Sequence, residues 1–467
     1  MANEIESHRQ MGTWALVPRP PGRNIVGNKW VFKPKVKTAF LQGELEADTH
    51  VCKLQRPLYG LKQSPRQWNK TLHKRLTNLG FRRMATEPCF YIKHDAHGQL
   101  LVVGAFVDDL IIVGKKVSAL ELRATLQTVF EMTDLGEMKK FLGMEIDRDR
   151  EARTITVSQQ SYLAGVLEKF RMEECNPVSS PIVAGYHPHK RQDDEPAANK
   201  PLYQSIVGSL IYAANGTRID ITAATGIAGQ YMADPSELHM KNVKRILRYI
   251  KGTIDKKLTL GGIDAEIKLE AWADSDWGSN PDCRKSRAGY LVKLGQGAVM
   301  WGSKKQQSVA LSSSEAEYMA VSITTRELLW ARQFLKELGY PQNQPTPIHE
   351  DNRGCIFMSN EHVINSRTKH IDIRHHFIRD AVELNQIKLV ACSTAEMVAD
   401  FLTKGVDTDK IEYCSKMAGL SRPRGRLTRD QSRETPPLPK GIPEIISTLE
   451  TKPSSQARSS CHFTSGT

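Results

Sequence analysis

Apolar and polar positions alternate with two different periods in the last third of the chain. Short β-rich runs at Ile267–Asp274, Tyr290–Leu294, Ala298–Trp301 and Ser308–Leu311 predict successive strands. The period then lengthens, and Ser314–Leu338 predicts a long helix with Ala316, Ala320, Ile323, Trp330 and Phe334 along one stripe. A strand at Pro347–Asp351, a helix near Ile371–Leu384, a strand at Ile387–Val390 and a last helix from Thr394 complete the series. Strands first, then alternating helices and strands, predict a single mixed sheet with helices packed on it.

Upstream the pattern is less regular. Gly12–Trp30 is rich in Pro, Gly and Trp and reads as the edge of a domain, and Ser64–Leu79 predicts a helix. Leu100–Val107 and Leu110–Val113 read as a hairpin around Asp108-Asp109. Asn176–Asn199, with four prolines, reads as a linker. A helix is expected from Asp234 as N-cap, with Pro235 at its first position, to Lys251-Gly252. On it Val243, Ile246, Leu247 and Ile250 form an apolar row, and Lys241, Lys244, Arg245 and Arg248 form a basic row on the opposite side. That basic row is either a solvated face or a rail for phosphates. Beyond Ser421 the chain holds Pro, Ser, Thr and Arg with few aromatics, and disorder is expected.

At 467 residues, two or three domains are expected. The expected boundaries are a short amino-terminal piece at 1–34, a domain at 35–175, a linker and helical segment at 176–265, the mixed-sheet domain at 266–410 and a basic tail at 411–467. A net charge of +13 favours a polyanionic partner held by salt-sensitive contacts. The eight cysteines are scattered without a Cys-x-x-Cys pair, which points to a reduced compartment and no zinc site. The polar start from Met1 to Gln10 argues against a signal peptide, and no apolar run is long enough for a membrane span. No membrane partner is expected.

Four carboxylates stand in distinctive settings: Asp274 in Trp272-Ala273-Asp274-Ser275-Asp276-Trp277, Glu317 in Ser313-Ser314-Glu315-Ala316-Glu317-Tyr318, Asp351 in Glu350-Asp351-Asn352, and Asp400 in Ala399-Asp400-Phe401-Leu402-Thr403-Lys404. Each has a plain structural alternative. Asp274 could be a surface carboxylate, Glu317 could close a capping box with Ser314, Asp351 could cap a helix, and Asp400 could pair with Lys404 one turn on. Together they fit the acidic set that holds two hard divalent cations about 3.5–4 Å apart on a phosphodiester. Glu317 is preferred to Glu315, because Glu315 shares its side with Ser322 and Arg326 and should face solvent.

These strings, with Arg284-Lys285-Ser286, Val309-Ala310-Leu311-Ser312-Ser313, Ser366-Arg367-Thr368-Lys369-His370 and Arg245-Ile246-Leu247-Arg248-Tyr249, resemble the RNase H and connecting regions of copia-type LTR retrotransposon Pol polyproteins. Leu58-Tyr59-Gly60-Leu61-Lys62-Gln63 and Phe106-Val107-Asp108-Asp109 look like the reverse transcriptase of the same family. The resemblance implies an α/β (α+β) chain: a remnant right-hand palm polymerase, a helical connection and an RNase H-like mixed-sheet domain. It implies Asp274, Glu317, Asp351 and Asp400 as RNase H metal ligands, and Asp108, assisted by Asp109, as a polymerase metal ligand. Phe40, Tyr59, Gly60, Lys241, Lys244, Arg245, Arg248, Arg367 and Lys369 would contact substrate. The implied cofactor is Mg²⁺ or Mn²⁺, two ions per active site. The implied partners are an RNA–DNA hybrid, an RNA template with DNA primer, and deoxynucleotides wherever synthesis survives. The implied setting is cytoplasmic, within virus-like particles, or nuclear.

The polymerase half departs from the family. Lys35-Val36-Lys37-Thr38-Ala39-Phe40 puts an ammonium where the family's first-motif carboxylate belongs, and a cation there opposes metal binding. Asn28-Lys29-Trp30-Val31-Phe32-Lys33 runs almost directly into Val36, without several dozen residues of the family's fingers. DNA synthesis is therefore expected to be lost or severely impaired, while cleavage of RNA in hybrids is the expected surviving activity. Two other readings stand beside it: a nucleic-acid binder that does not cut, and a transposon relic whose first half does not fold.

Overall fold

The computed structural model describes residues 14–18, 50–54, 64–130, 132–360, 372–422 and 445–451. Its contacts divide the chain into two units, residues 1–138 with 437–467, and residues 139–436.

In the first unit, helix Ser64–Asn78 places Leu72 and Leu76 four residues apart, and both are buried with Phe81, Tyr91, Val103, Leu110 and Ile112. Leu100–Phe106 pairs antiparallel with Asp109–Val113, with Phe106 opposite Asp109. The two-residue turn is thus Val107-Asp108, one position earlier than the expected Asp108-Asp109. Val107 takes the positive φ of 51° that such a turn demands, and the Trp68 indole N–H donates to its carbonyl at 2.6 Å. The antiparallel sheet runs Arg82–Arg83, Phe90–His94, Leu100–Phe106, Asp109–Val113, Ile445–Thr451, Met132–Asp134. The expectation of disorder throughout the tail is corrected here, because Ile445–Thr451 pairs on both sides as a strand. Trp14–Pro18 and His50–Leu54 form a separate two-stranded pair.

The second unit opens with strands that sequence reading assigned to the palm. Lys140–Phe141, Met144–Asp149 and Thr154–Ser158 share an antiparallel sheet with Lys257–Gly261 and Leu420–Ser421. Helix α1 (Lys200–Gly216) is capped by Asn199, whose side chain accepts from the Leu202 N–H. Helix α2 (Glu237–Gly252) packs Val243, Ile246, Leu247 and Ile250 with Tyr203, Ile206, Val207 and Leu210 of α1. Its start corrects the expected cap. Ser236 and His239 make the capping box, while Asp234 lies outside the helix and binds the Arg191 guanidinium. The linker at 176–199 is held down by two members of the basic row: Arg245 donates to Ser180 Oγ at 2.9 Å and Arg248 to the Asn176 carbonyl at 2.7 Å. Only Lys241 and Lys244 of that row are exposed.

Beneath α2 sits a buried charge pair. Arg218 donates through Nε and Nη2 to the two oxygens of Asp220, each at 2.9 Å, and both side chains are fully buried. Tyr249 donates to Asp220 Oδ2 at 2.8 Å, and Arg218 Nη2 also reaches Thr253 Oγ1 at 2.6 Å. The bidentate fork and the extra donor satisfy a carboxylate that could not otherwise be left out of water.

The main sheet of this unit contains β1 (Leu269–Asp276), β2 (Arg287–Leu294), β3 (Gly297–Lys305), β4 (Thr346–Glu350) and β5 (Ile387–Ala391) in the order β3-β2-β1-β4-β5. The first three are antiparallel neighbours; β4 lies parallel to β1, and β5 parallel to β4. Parallel neighbours need crossovers, supplied by α3 (Ser313–Glu337) and then by α4 (Arg353–Asn360) with α5 (Asp372–Glu383). Ala271, Ala273 and Val292 pack on Tyr318, Ala320 and Leu328 of α3. Trp272 and Leu291 pack on Phe401, Leu402 and Cys414 on the other face. This is the mixed sheet of the RNase H-like fold.

Three expectations for this domain change. Ser308–Leu311 is no strand, because β3 runs on to Lys305 and the following backbone is satisfied by side chains: the Trp277 indole donates to the Ala310 carbonyl, and the Leu311 N–H donates to Glu315. The core stripe of α3 ends in Leu328, Ala331 and Leu335, whereas Trp330 is 40% exposed and stacks on Phe334. The last helix does not start at Thr394. A 3-10 helix at Val398–Leu402 comes first, then α6 (Thr408–Met417), which buries Ile411 and Cys414 in what was expected to be tail.

Candidate metal centre

Four elements carry the acidic residues to the carboxyl end of β1. Asp274 lies near the end of β1, Glu317 in the first turns of α3, Asp351 directly after β4, and Asp400 in the 3-10 helix. The start of α3 is fixed by Ser312, which accepts from the Glu315 N–H, while the Glu315 carboxylate accepts from the Leu311 N–H at 2.7 Å. Glu315 is therefore buried at the helix start and does not face solvent as expected, and it, not Glu317, bonds back to the backbone ahead of the helix. That leaves Glu317 to point elsewhere.

Asp274, Glu317 and Asp351 each offer an oxygen within 4.8 Å of the others. Thr403 Oγ1 donates to Asp274 Oδ2, and Thr394 Oγ1 donates to Asp351 Oδ2 at 2.8 Å. Glu317 Oε2 is buried and has no hydrogen-bond partner. Burial, then the neighbouring carboxylates Asp274, Glu350 and Asp351, push the Glu317 carboxyl far above its ordinary range. Asp274 is raised by burial as well, against the pull of Lys404. Crowded carboxylates with one orphaned buried oxygen form a donor set suited to a hard cation.

Asp400 lies outside the three whose oxygens fall within 4.8 Å of one another, and it stands next to Asp274 across Lys404. Lys404 Nζ lies 2.7 Å from Asp400 Oδ1, and Lys410 Nζ lies 3.1 Å from Asp400 Oδ2. Sequence reasoning also passed over Glu350. Alternation along β4 turns Thr346, Ile348 and Glu350 to the same buried side, the signal that could have found it. Glu350 Oε1 accepts from the Asn352 N–H at 3.0 Å, and Asn352 Oδ1 accepts from Ser314 Oγ and the Cys355 N–H, each at 3.0 Å. This small network fixes the turn that carries Asp351.

Beside the acidic set runs a groove lined by Asp276, Trp277, Arg284, Lys285, Lys305 and Lys404. Trp277 is 57% exposed there, so the Arg284-Lys285 motif faces the same space as an aromatic surface. In the first unit Asp108 is half-buried at the hairpin turn, with its carboxyl raised by burial, and Asp109 opens the next strand. Phe40, Tyr59, Gly60, Arg367 and Lys369, and Lys35 with them, lie outside the described residues.

Residues 41–184 match the family model described as reverse transcriptase (RNA-dependent DNA polymerase). The Pol polyprotein of transposon TNT 1-94 from Nicotiana tabacum is 34% identical over 499 residues, covering 90% of this chain and 37% of the relative. That of transposon RE1 from Arabidopsis thaliana is 30% identical, covering 90% of this chain and 34% of the relative. A putative transposon Ty5-1 protein of Saccharomyces cerevisiae is 30% identical over 60% of this chain and 90% of its own length. Among solved structures, LC11-RNase H1, isolated from compost by a metagenomic approach, aligns with 16% identity and a TM-score of 0.24, over 32% of this chain and 97% of its own. The family match at 41–184 gives the reverse transcriptase class, and the β3-β2-β1-β4-β5 sheet gives the RNase H-like architecture that follows it. The chain belongs to the copia-type retrotransposon Pol polyproteins, and spans about a third of the length of the two plant relatives.

Proposed function

We propose that the second unit binds RNA–DNA hybrid and hydrolyses its RNA strand with the help of a divalent cation, Mg²⁺ or Mn²⁺. The observation that carries this is the approach of Asp274, Glu317 and Asp351 to within 4.8 Å. Three carboxylates so close repel one another unless they share a cation or take up protons. The residues would hold one ion directly, with Thr394 and Thr403 fixing two of them in orientation. When bound, the ion would supply an activated water and neutralise charge on the phosphate being cut. Arg284, Lys285 and Lys305 in the adjoining groove would hold backbone phosphates, and Trp277 offers a face to a sugar or base. Lys241 and Lys244 add exposed positive charge on α2, whereas Arg245 and Arg248 serve the fold. DNA synthesis is no part of this reading, because Lys35 stands where the first polymerase carboxylate belongs.

Purified full-length chain, given a hybrid labelled in its RNA strand, should cleave it with Mn²⁺ or Mg²⁺ and stop on chelation. Asp351→Asn should lower the rate at least a hundredfold with hybrid affinity changed less than about threefold, since an amide is a far poorer ligand for a hard cation. Tight hybrid binding without cleavage by the unmodified chain would select the non-cutting binder instead.

A further inference from the structure

We infer that Lys404 is a built-in cation, seated between Asp274 and Asp400, that takes the place of a second metal ion and leaves the carboxylate triad to a single exchangeable one. This rests on the metal-dependent reading above and deepens it. A lysine one turn after an aspartate is ordinarily an i,i+4 surface pair, and the surroundings of this one are different. Lys404 Nζ is 2.7 Å from Asp400 Oδ1 and 4.0 Å from Asp274 Oδ2, so one ammonium bridges two carboxylates that are themselves buried. The other oxygen of Asp400 is held by Lys410 at 3.1 Å. Lys410 is further fixed by the carbonyls of Thr394 at 2.6 Å and Ala395 at 2.8 Å.

Both oxygens of Asp400 are therefore engaged by cations. Asp274 Oδ2 takes Thr403 and Lys404, and Asp274 with Glu317 and Asp351 makes up the metal-competent set. A divalent ion between Asp274 and Asp400 would stand against the Lys404 ammonium, and like charges at that distance repel strongly. The Lys404 side chain is 43% exposed, whereas that of Lys410 is 15% exposed. Lys404 is thus the one of the two with a path to solvent, and it can be displaced if ion concentration is raised far enough.

Mn²⁺ titration of the full chain, followed by electron paramagnetic resonance of the free ion and by calorimetry, tests this without any turnover. The unmodified chain should take up one ion, with a second at least tenfold weaker. Lys404→Gln, and independently Lys404→Met, should tighten the second ion at least tenfold, while Lys404→Arg should behave like the unmodified chain. Identical titrations for all variants would overturn the role of Lys404 but leave the metal-dependent reading intact. Tight uptake of two ions by the unmodified chain would do the same. Failure of every variant to take up Mn²⁺ would overturn both.

Discussion

Asp220 shows how a single residue can govern the stability of the unit that carries the acidic set. Burial alone would raise its carboxyl, but the Arg218 charge and the donors around it hold it below the ordinary value. The unfolded chain therefore takes up that proton more readily than the folded one. This contribution to stability is fully present above about pH 4 and is lost as pH falls through the lower folded value. Asp220→Asn should strand Arg218 and cost about 3–5 kcal/mol, and combining Arg218→Met with Asp220→Leu should cost less than either single change. Chemical denaturation between pH 3 and 7 checks both; an unaltered midpoint in Asp220→Asn would contradict the pairing. At this scale the sequence was legible where residue type and setting agree, as at Asp274, Glu317 and Asp351. It was not legible where a side chain's fate depends on its folded partners. Glu315 looked solvent-facing from helical periodicity, but the Leu311 N–H turns it inward; Arg245 and Arg248 read as a solvated face or a phosphate rail, and they bond the linker.

Most strands and helices between residues 267 and 391 were read with small errors at their ends, because the two periods of apolar residues are strong there, although the short helix Arg353–Asn360 was not anticipated. Ser313–Glu337 against the expected Ser314–Leu338 shows how closely a long amphipathic run announces itself. Ser308–Leu311 failed for a local reason, since a β-prone composition does not reveal that side chains will satisfy the backbone. The 3-10 helix carrying Asp400 was invisible for another. Its position depends on Gly289 in β2, whose missing side chain lets the helix approach the sheet. A Cβ at Gly289 would lie 2.7 Å from Thr403 Cγ2, 2.8 Å from Leu402 Cβ and 3.1 Å from the Ala399 carbonyl. Gly289→Ala should therefore destabilise the unit by about 1–3 kcal/mol and weaken Mn²⁺ uptake by shifting Thr403 away from Asp274. A melting curve and a titration matching the unmodified chain would show that the helix has room to spare.

For the molecule as a whole, the order of strands and helices was enough to anticipate the mixed sheet, and the motifs were enough to anticipate the family. Two strand pairings were not anticipated. Residues 140–158 lie within the reverse transcriptase match at 41–184, where the sequence reading placed them, and their strands pair with Lys257–Gly261 in the second unit. Long-range strand pairing leaves no local trace in the amino acids, and the same holds for Ile445–Thr451, which enters the first unit from a tail without apolar periodicity. What unites the second unit functionally is the convergence of β1, α3 and β4 on one small volume of negative charge. Anomalous diffraction from Mn²⁺-soaked crystals of the full chain tests this most directly. A peak is predicted within about 2.0–2.3 Å of carboxylate oxygens from Asp274, Glu317 and Asp351 together. Active crystals whose manganese lies elsewhere, or whose three side chains point apart, would contradict it.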